Sequence, residues 1–420
     1  MNSYFGELRS EWRPLAAAVV GLSSGLTAVS YVIGIMGPYL VQTFGWAKAD
    51  MALVTSLSLG AVLIFPLVGR LTDVFGVRIT AAIGVAANPL IFIGLMMMDS
   101  FLTYAVLFAV QAAALATTTA PVYCRLIVKH FQRARGLALG IAASGPSLTI
   151  AVGGPLFNNF VADHGWRAGY LAMAIFTAFM GVTSLFLVPP ERGEARVRKV
   201  KQTTAKQDYA TIFRTPAFWI LFVAILLCNL PQSMMMTQLS LVLAENGAPG
   251  KAASIMISAF ASGMLLGRIV SGLALDRFPA PYVAAIGLAL SGIGLLLIAS
   301  GIDSRPVLFF SVLIFGLSLG AEGDVMAYLV VRNFGVRVYS SVHSILASTV
   351  AIAAVLGSIL ISVMLRIYGL YAPFLWLTGV LVLIGSAMFL LLPRNPKVDD
   401  SFAESEPEPA QDEGPKALPG

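Results

Sequence analysis

Charge is scarce in this sequence. Only 11% of its 420 residues are Asp, Glu, Lys or Arg, less than half the usual quarter of a soluble domain. A soluble chain of this length could not cover its surface with so few charges. Cysteine is rarer still: Cys124 and Cys228 both lie in apolar runs, which excludes a disulfide framework and a paired metal motif. The three histidines, His130, His164 and His343, are expected at helix ends and form no metal-ligand spacing. Gly250-Lys251 lacks the upstream glycine and the following Ser or Thr of a phosphate-binding loop, so no ATP-driven engine is expected. Gly21-Leu22-Ser23-Ser24-Gly25 spells G-x-S-x-G, but inside a helix-length apolar run. A nucleophile elbow needs a strand-to-helix turn, so a hydrolase is not expected. The expectation is a protein that is not an enzyme and uses no cofactor or metal.

What is abundant is apolar surface. Hydrophobic residues make up 58% of the chain and the mean hydropathy is +0.84. A membrane-spanning helix needs roughly 20 apolar residues, because each adds about 1.5 Å across a hydrocarbon core about 30 Å thick. Twelve such runs are predicted: 14–41, 51–71, 79–98, 102–124, 137–161, 168–188, 216–243, 252–275, 282–301, 307–331, 342–365 and 371–392. They are numbered here as spans 1 to 12. The runs are apolar throughout rather than alternating, which favours helices over a β-barrel. Span 1 is too long for a signal-peptide core and is read as a retained helix.

Orientation follows from Lys and Arg. With twelve crossings both termini share one side, and that side carries 22 of the 27 basic residues. The other five are Lys48, Arg167, Lys251, Arg305 and Arg366. Both termini are therefore expected in the cytoplasm, with the protein multi-pass in the inner membrane. The net charge of +6 is then topological. The high isoelectric point forms no patch on a soluble face, so no nucleic-acid partner is expected.

The chain repeats itself at an offset of 203 residues. Gly69 and Asp73 recur as Gly272 and Asp276, and Ala81-Ala82-Ile83-Gly84 as Ala284-Ala285-Ile286-Gly287. Lys129 and Phe131 match Arg332 and Phe334, Gly154 matches Gly357, and Ser30 matches Ser233. One offset held from the first to the fifth span of each half predicts two parallel six-helix repeats. The expected organisation is an N-terminal segment 1–13, a bundle 14–188, a solvated linker 189–215, a bundle 216–392 and an acidic, disordered tail 393–420.

The loop after span 2 reads Gly69-Arg70-Leu71-Thr72-Asp73-Val74-Phe75-Gly76-Val77-Arg78. It resembles the G-x-L-x-D-x-x-G-x-R signature of the major facilitator superfamily. A degenerate copy, Gly272-Leu273-Ala274-Leu275-Asp276-Arg277, lies between spans 8 and 9. The glycine permits close helix approach, and the aspartate can hold one conformation by meeting a helix N-terminus or an arginine. Gly69, Asp73, Gly76, Arg78, Gly272, Asp276 and Arg277 are the candidate gating residues. The resemblance implies an all-α membrane fold of twelve helices in two pseudo-symmetric six-helix bundles. Further stretches, Phe44-Gly45-Trp46, Arg135 to Gly140, His164 to Arg167, Gly320 to Asp324 and Asn333 to Gly335, look like bacterial members of the monocarboxylate and oxalate/formate branch. That branch commonly places a cation inside helix 1, 8 or 11, or an Asp/Arg pair in helix 8. Spans 1 and 11 have no Lys or Arg, and span 8 has only Arg268, two turns from its end.

Two acids stand out of place. Glu322 lies ten residues before Arg332 in span 10, about 15 Å from that end. Asp324 is about 3 Å nearer to it. A carboxylate at such depth costs at least ~2.5 kcal/mol, so each must pair, face a wet cavity or carry a proton. Separated by about 200° around the helix, they cannot face one cavity together. One is expected to couple protons, Glu322 by its depth, and the other to be a structural partner. The alternative is that both are structural ties between helices. Arg125 ends span 4 and either snorkels to headgroups or forks onto a substrate carboxylate. Asn229 and Gln232 flank Pro231, which frees a backbone carbonyl within span 7. Tyr31 in span 1 and Gln111 in span 4 complete the substrate-contact candidates. Trp46 and Trp166 fit an interfacial aromatic belt.

The sequence thus predicts a secondary transporter that alternates access by rocking two halves. The resemblance implies a small organic anion, a monocarboxylate or aromatic acid, and uptake by proton symport is the expected mode. The alternative is an exporter of amphiphilic or cationic compounds driven by proton antiport, and a lesser one is a non-transporting membrane sensor. The expected partners are a small-molecule substrate, protons and the bilayer. A monomer would suffice.

Overall fold

The computed structural model describes residues 4–46, 61–189, 205–248, 251–301 and 304–394. These residues are helical with short turns, and no strand occurs among them. Nine helices among the described residues are long and apolar enough to cross a membrane. Twelve spans were expected; the nine are spans 3 to 6 and 8 to 12. The described part of span 2 is Ala61–Phe75. Span 1 is broken at Ser24-Gly25 into Trp12–Ser23 and Leu26–Phe44. Span 7 is broken around Pro231 into Pro216–Asn229, Gln232–Thr237 and Leu239–Glu245. Proline cannot donate to the helix ladder, so the break falls where the sequence puts it.

The other spans are Val77–Met96, the pair Phe101–Ala116 and Ala120–His130, Lys251–Arg277, Ala280–Ala299, Arg305–Phe334, Tyr339–Tyr368 and Ala372–Met388. Spans 5 and 6 are the two arms of Arg135–Leu187, divided at Gly165 with φ 83° and ψ 166°. Only glycine reaches that backbone region without strain, which accounts for the glycine of His164-Gly165-Trp166-Arg167.

The apolar core is tripartite. One cluster lies within the first half, around Met36, Phe92, Tyr104 and Tyr170. A second lies within the other half, around Met234, Phe260, Phe315 and Phe374. The third joins the halves at the end carrying the Gly69–Arg78 motif, through Tyr123, Phe131, Phe218, Phe334 and Tyr339. The halves therefore share a core at this motif face and keep separate cores elsewhere.

Within the second half, spans 8 and 10 press backbone to backbone. Gly263 and Gly267 on span 8 meet Leu313 and Leu317, while Gly316 and Gly320 on span 10 meet Phe260 and Met264. Both sets are G-x-x-x-G, the spacing that lets membrane helices pack closely. Gly323 faces open space instead.

Two short helices lie outside the spans. Tyr4–Ser10 precedes span 1, and Ala205–Arg214 precedes span 7 at a bend of 72°. The second corrects an expectation. The linker 189–215 is expected to be solvated, yet within its described part Asp208 and Ile212 are buried at 4% and 0% exposure. An amphipathic helix with an unpartnered apolar side docks rather than floats. Residues 190–204 and 395–420, including nearly all the acidic tail, lie outside the described residues. Trp166 is likewise buried, against Phe44 and Tyr170, so it serves the core of the first half more than a headgroup belt.

Candidate functional site

The motif face is closed by two carboxylate clamps. Asp73, near the end of span 2, accepts hydrogen bonds from the Ser340 and Ser341 amides at 3.1 and 2.7 Å. These amides belong to the first turn of Tyr339–Tyr368, so the carboxylate sits on a helix N-terminus where unpaired N–H groups and the dipole favour an anion. Arg125 donates to Asp73 and, at 2.7 Å, to the Val336 carbonyl. The Asp73 and Arg125 side chains are 2% and 10% exposed. Gly69 is required because a Cβ there would strike the Ser340 carbonyl and the Ser344 side chain. Gly76 turns the chain into span 3 at φ 83°. Arg78 is exposed.

The second copy builds the same device. Asp276 accepts from the Gly136 and Leu137 amides at 2.6 and 3.0 Å, at the first turn of span 5. Gly272 lies against the Gly136 backbone. Arg277 is exposed. The third partner is a phenol: Tyr4 of the N-terminal helix donates to Asp276 at 2.7 Å. Burial first, and then the Asp276 contact, push the Tyr4 hydroxyl above its usual range, so it is a proton donor throughout neutral pH. Glu7 of the same helix accepts from the Gln132, Arg133 and Ala134 amides at 2.8, 3.0 and 2.8 Å.

The docked linker helix adds a third tie. Asp208 receives Arg70 at 2.5 Å and Arg337 at 2.9 Å. Arg70 precedes span 3 and Arg337 precedes span 11, so one carboxylate joins the two halves. Sequence reasoning missed Tyr4, Glu7 and Asp208. The signal available for the last was the amphipathic pattern of Ala205–Arg214, with one acid among apolar positions.

Deeper in the membrane, two broken helices face each other in the first half, and in the second the broken span 7 faces the continuous span 10. A Cβ on Gly25, at the break in span 1, would lie 2.7 Å from the Thr118 carbonyl at the break in span 4. The Thr117, Thr118 and Thr119 hydroxyls bond carbonyls one turn back, satisfying backbone freed by the break. Adding 203 to 25 and 118 gives 228 and 321, one residue short of the corresponding contact in the other half. There Asn229, at the break in span 7, donates to Glu322 Oε1 at 2.7 Å and to the Ile225 carbonyl at 2.9 Å.

Glu322 and Asp324 point different ways, as their angular spacing requires. Glu322 meets span 7 through Asn229. Asp324 meets the seam between halves: its Oδ2 lies 3.6 Å from where a Gly140 Cβ would stand on span 5. Arg268 on span 8 is the cation whose charge reaches both acids.

The remaining candidates fall as follows. Gln111 is buried at 2% with Nε2 unpartnered. Gln232 is half-buried. The Tyr31 side chain lies outside the described residues. Arg125 is neither at a headgroup nor free for a ligand; its guanidinium is committed to Asp73 and Val336. His343, expected at a helix end, is instead 1% exposed inside the span 11 helix with both ring nitrogens unpartnered. It sits edge-on to Tyr339 at 5.2 Å.

Two helical bundles clamped together on one face, with helix breaks in spans 1, 4 and 7, have the architecture of a membrane carrier. Comparison with known proteins gives the family. The model of the Major Facilitator Superfamily matches residues 15–245 and 221–417, and the chain belongs to that superfamily of transporters. The chain is 25% identical to human monocarboxylate transporter 11 over 393 residues, covering 90% of this chain and 82% of that protein. It is 24% identical over 347 residues to the 4-hydroxybenzoate transporter PcaK of Acinetobacter baylyi, covering 72% and 74%. Its fold matches the crystal structure of human organic anion transporter MFSD10 (TETRAN) with a TM-score of 0.68, at 14% identity, over 90% of this chain and 99% of that one.

Proposed function

We propose that this protein takes up small organic anions, a monocarboxylate or an aromatic acid, together with protons. The observation that carries the reading is the pair of buried acids on span 10, Glu322 bonded to Asn229 at the break in span 7 at 2.7 Å and Asp324 at the seam where span 5 passes the Arg268 backbone. A carboxylate substrate needs a cation, and a guanidinium offers it a planar fork. Proton coupling needs a group that can hold a proton within the membrane, and an intramembrane acid is the default candidate. The names of two relatives, a monocarboxylate transporter and a 4-hydroxybenzoate transporter, supply the substrate class. The Lys/Arg bias supports a cytoplasmic motif face, with both termini on the same side. The bundles are residues 14–188 and 216–392, joined by 189–215.

In this reading Arg268 holds the substrate carboxylate, Asn229, Gln232 and Gln111 shape its surroundings, and the motif-face clamps seal the cytoplasmic side while the site faces outward. The test is uptake of labelled L-lactate and 4-hydroxybenzoate into proteoliposomes with an alkaline interior. A pH gradient should raise accumulation of one of them, a protonophore should abolish the gain, and Arg268→Lys should weaken it. Extrusion of a cationic amphiphile against the gradient, with neither acid accumulated, would establish the exporter instead.

A further inference from the structure

We infer that Asp324, rather than Glu322, is the proton-linked switch, and that it works by being sealed into the seam between the halves. The inference deepens the proton-coupled reading above and rests on it. Glu322 already has a partner in Asn229 at 2.7 Å, within its own half, so rocking the halves leaves that bond in place. Asp324 is 3% exposed and its Oδ2 has no hydrogen-bond partner. Its enclosure is built from both halves. Span 5 of the first half contributes Gly140, whose Cβ position is 2.7 Å from the Arg268 carbonyl of span 8 and 3.6 Å from Asp324 Oδ2.

The ionisable groups around it are few. Span 8 presents Arg268, and span 4 presents Cys124, a buried thiol within the field of Asp324. Span 5 presents a glycine. Span 11 carries Tyr339 and His343, both buried, and span 9 carries Tyr282, engaged with Arg394. An ionised carboxylate sealed here with an unsatisfied oxygen is disfavoured. A proton removes that penalty. Opening the motif face parts spans 4 and 5 from spans 8 and 10, wets Asp324 and lets the proton go. Protonation and closure of this face are thus one linked equilibrium.

The test needs no substrate. Spin labels are introduced through non-canonical amino acids at Phe75 and Phe278, which are exposed at the ends of spans 2 and 8 and related by the 203-residue repeat. Cys124 and Cys228 stay in place. In nanodiscs, raising the pH from about 6 to about 8.5 should increase the long-distance, open population of the wild type by roughly tenfold relative to the closed one. Asp324→Asn, or Asp324→Ser where the amide does not fold, should hold the short distance at both pH values. Glu322→Gln should keep the shift. A wild type indifferent to pH, an Asp324 variant that still shifts, or a Glu322→Gln variant that does not would each overturn the assignment. Failure of carboxylate uptake in the proteoliposomes would overturn the substrate reading alone, because the label distances contain no substrate.

Discussion

The two motif copies solve one problem with different third partners. Each places an aspartate on the first turn of a helix from the opposite half, and each presses a glycine against that helix. Around Asp73 the site is completed by Arg125, and both side chains are buried. Around Asp276 it is completed by the Tyr4 phenol, and the carboxylate is half-buried. The shared part is the carboxylate on the helix N-terminus, so that contact is the clamp. The third partner sets how costly the clamp is to break. A buried ion pair is expensive to leave half-made, whereas a partly exposed phenol hydrogen bond is not. The first copy is therefore the stiffer of the two contacts and the second the yielding one.

The sharpest way to break this comparison is Asp73→Ala. It strands Arg125 without its anion and uncaps the Ser340 and Ser341 amides, a loss of about 3–5 kcal/mol. The label pair at Phe75 and Phe278 should report a mostly open motif face, and the melting temperature should fall. Arg125→Ala should be nearly as severe, and the double variant should cost clearly less than the two losses added, since they share one interaction. Additive losses would show that Asp73 and Arg125 act separately. Next in size is Gly136→Ala. The new methyl would run into the Gly272 carbonyl, forcing spans 5 and 8 apart at about 1–3 kcal/mol. Disulfide trapping between the two helix ends should fall in proportion, while Gly323→Ala, with open space around it, should leave trapping unchanged.

The same comparison shows what was readable in the residues. Hydropathy gave the helices and the proline of span 7 gave its break, because both follow from local chemistry. The repeat gave the motif copies and therefore the gate's first partners. Its second partners were not readable. Arg125, Ser340 and Ser341 are far from Asp73 in sequence, and no periodicity states which helix N-terminus faces which carboxylate. Tyr4 and Asp208 were hidden for another reason. They lie on short helices outside the spans, in segments whose charge suggested solvent, and only docking against the closed face buries them. Arg268 was legible as a cation inside a span but not as lying at the seam near Asp324, because that depends on spans 8 and 10 meeting through their glycines.

The two ties beyond the clamps give the smaller effects, and their difference tests whether the linker or the N-terminal helix matters more to closure. Asp208→Asn removes a carboxylate shared by Arg70 and Arg337, whose side chains are 22% and 26% exposed. Solvent screening limits the loss to roughly 1 kcal/mol. It should appear as a modest rise in the open population that shrinks with added salt, because the wild-type tie is itself screened.

Tyr4→Phe should be the mildest change, below about 0.5 kcal/mol, since the bond is partly exposed and the carboxylate keeps its two amides. Its pH signature is the more telling part. The Tyr4 hydroxyl is held above its ordinary range in the folded protein, so its contribution is fully present below the free tyrosine value and is lost only as pH rises through the folded one. The wild-type and Tyr4→Phe label distances should therefore differ by the same small amount across neutral pH and converge only in strong alkali. A difference that grew between mildly acidic and mildly alkaline conditions would mean that the second clamp, not the Asp324 seam, carries part of the pH response.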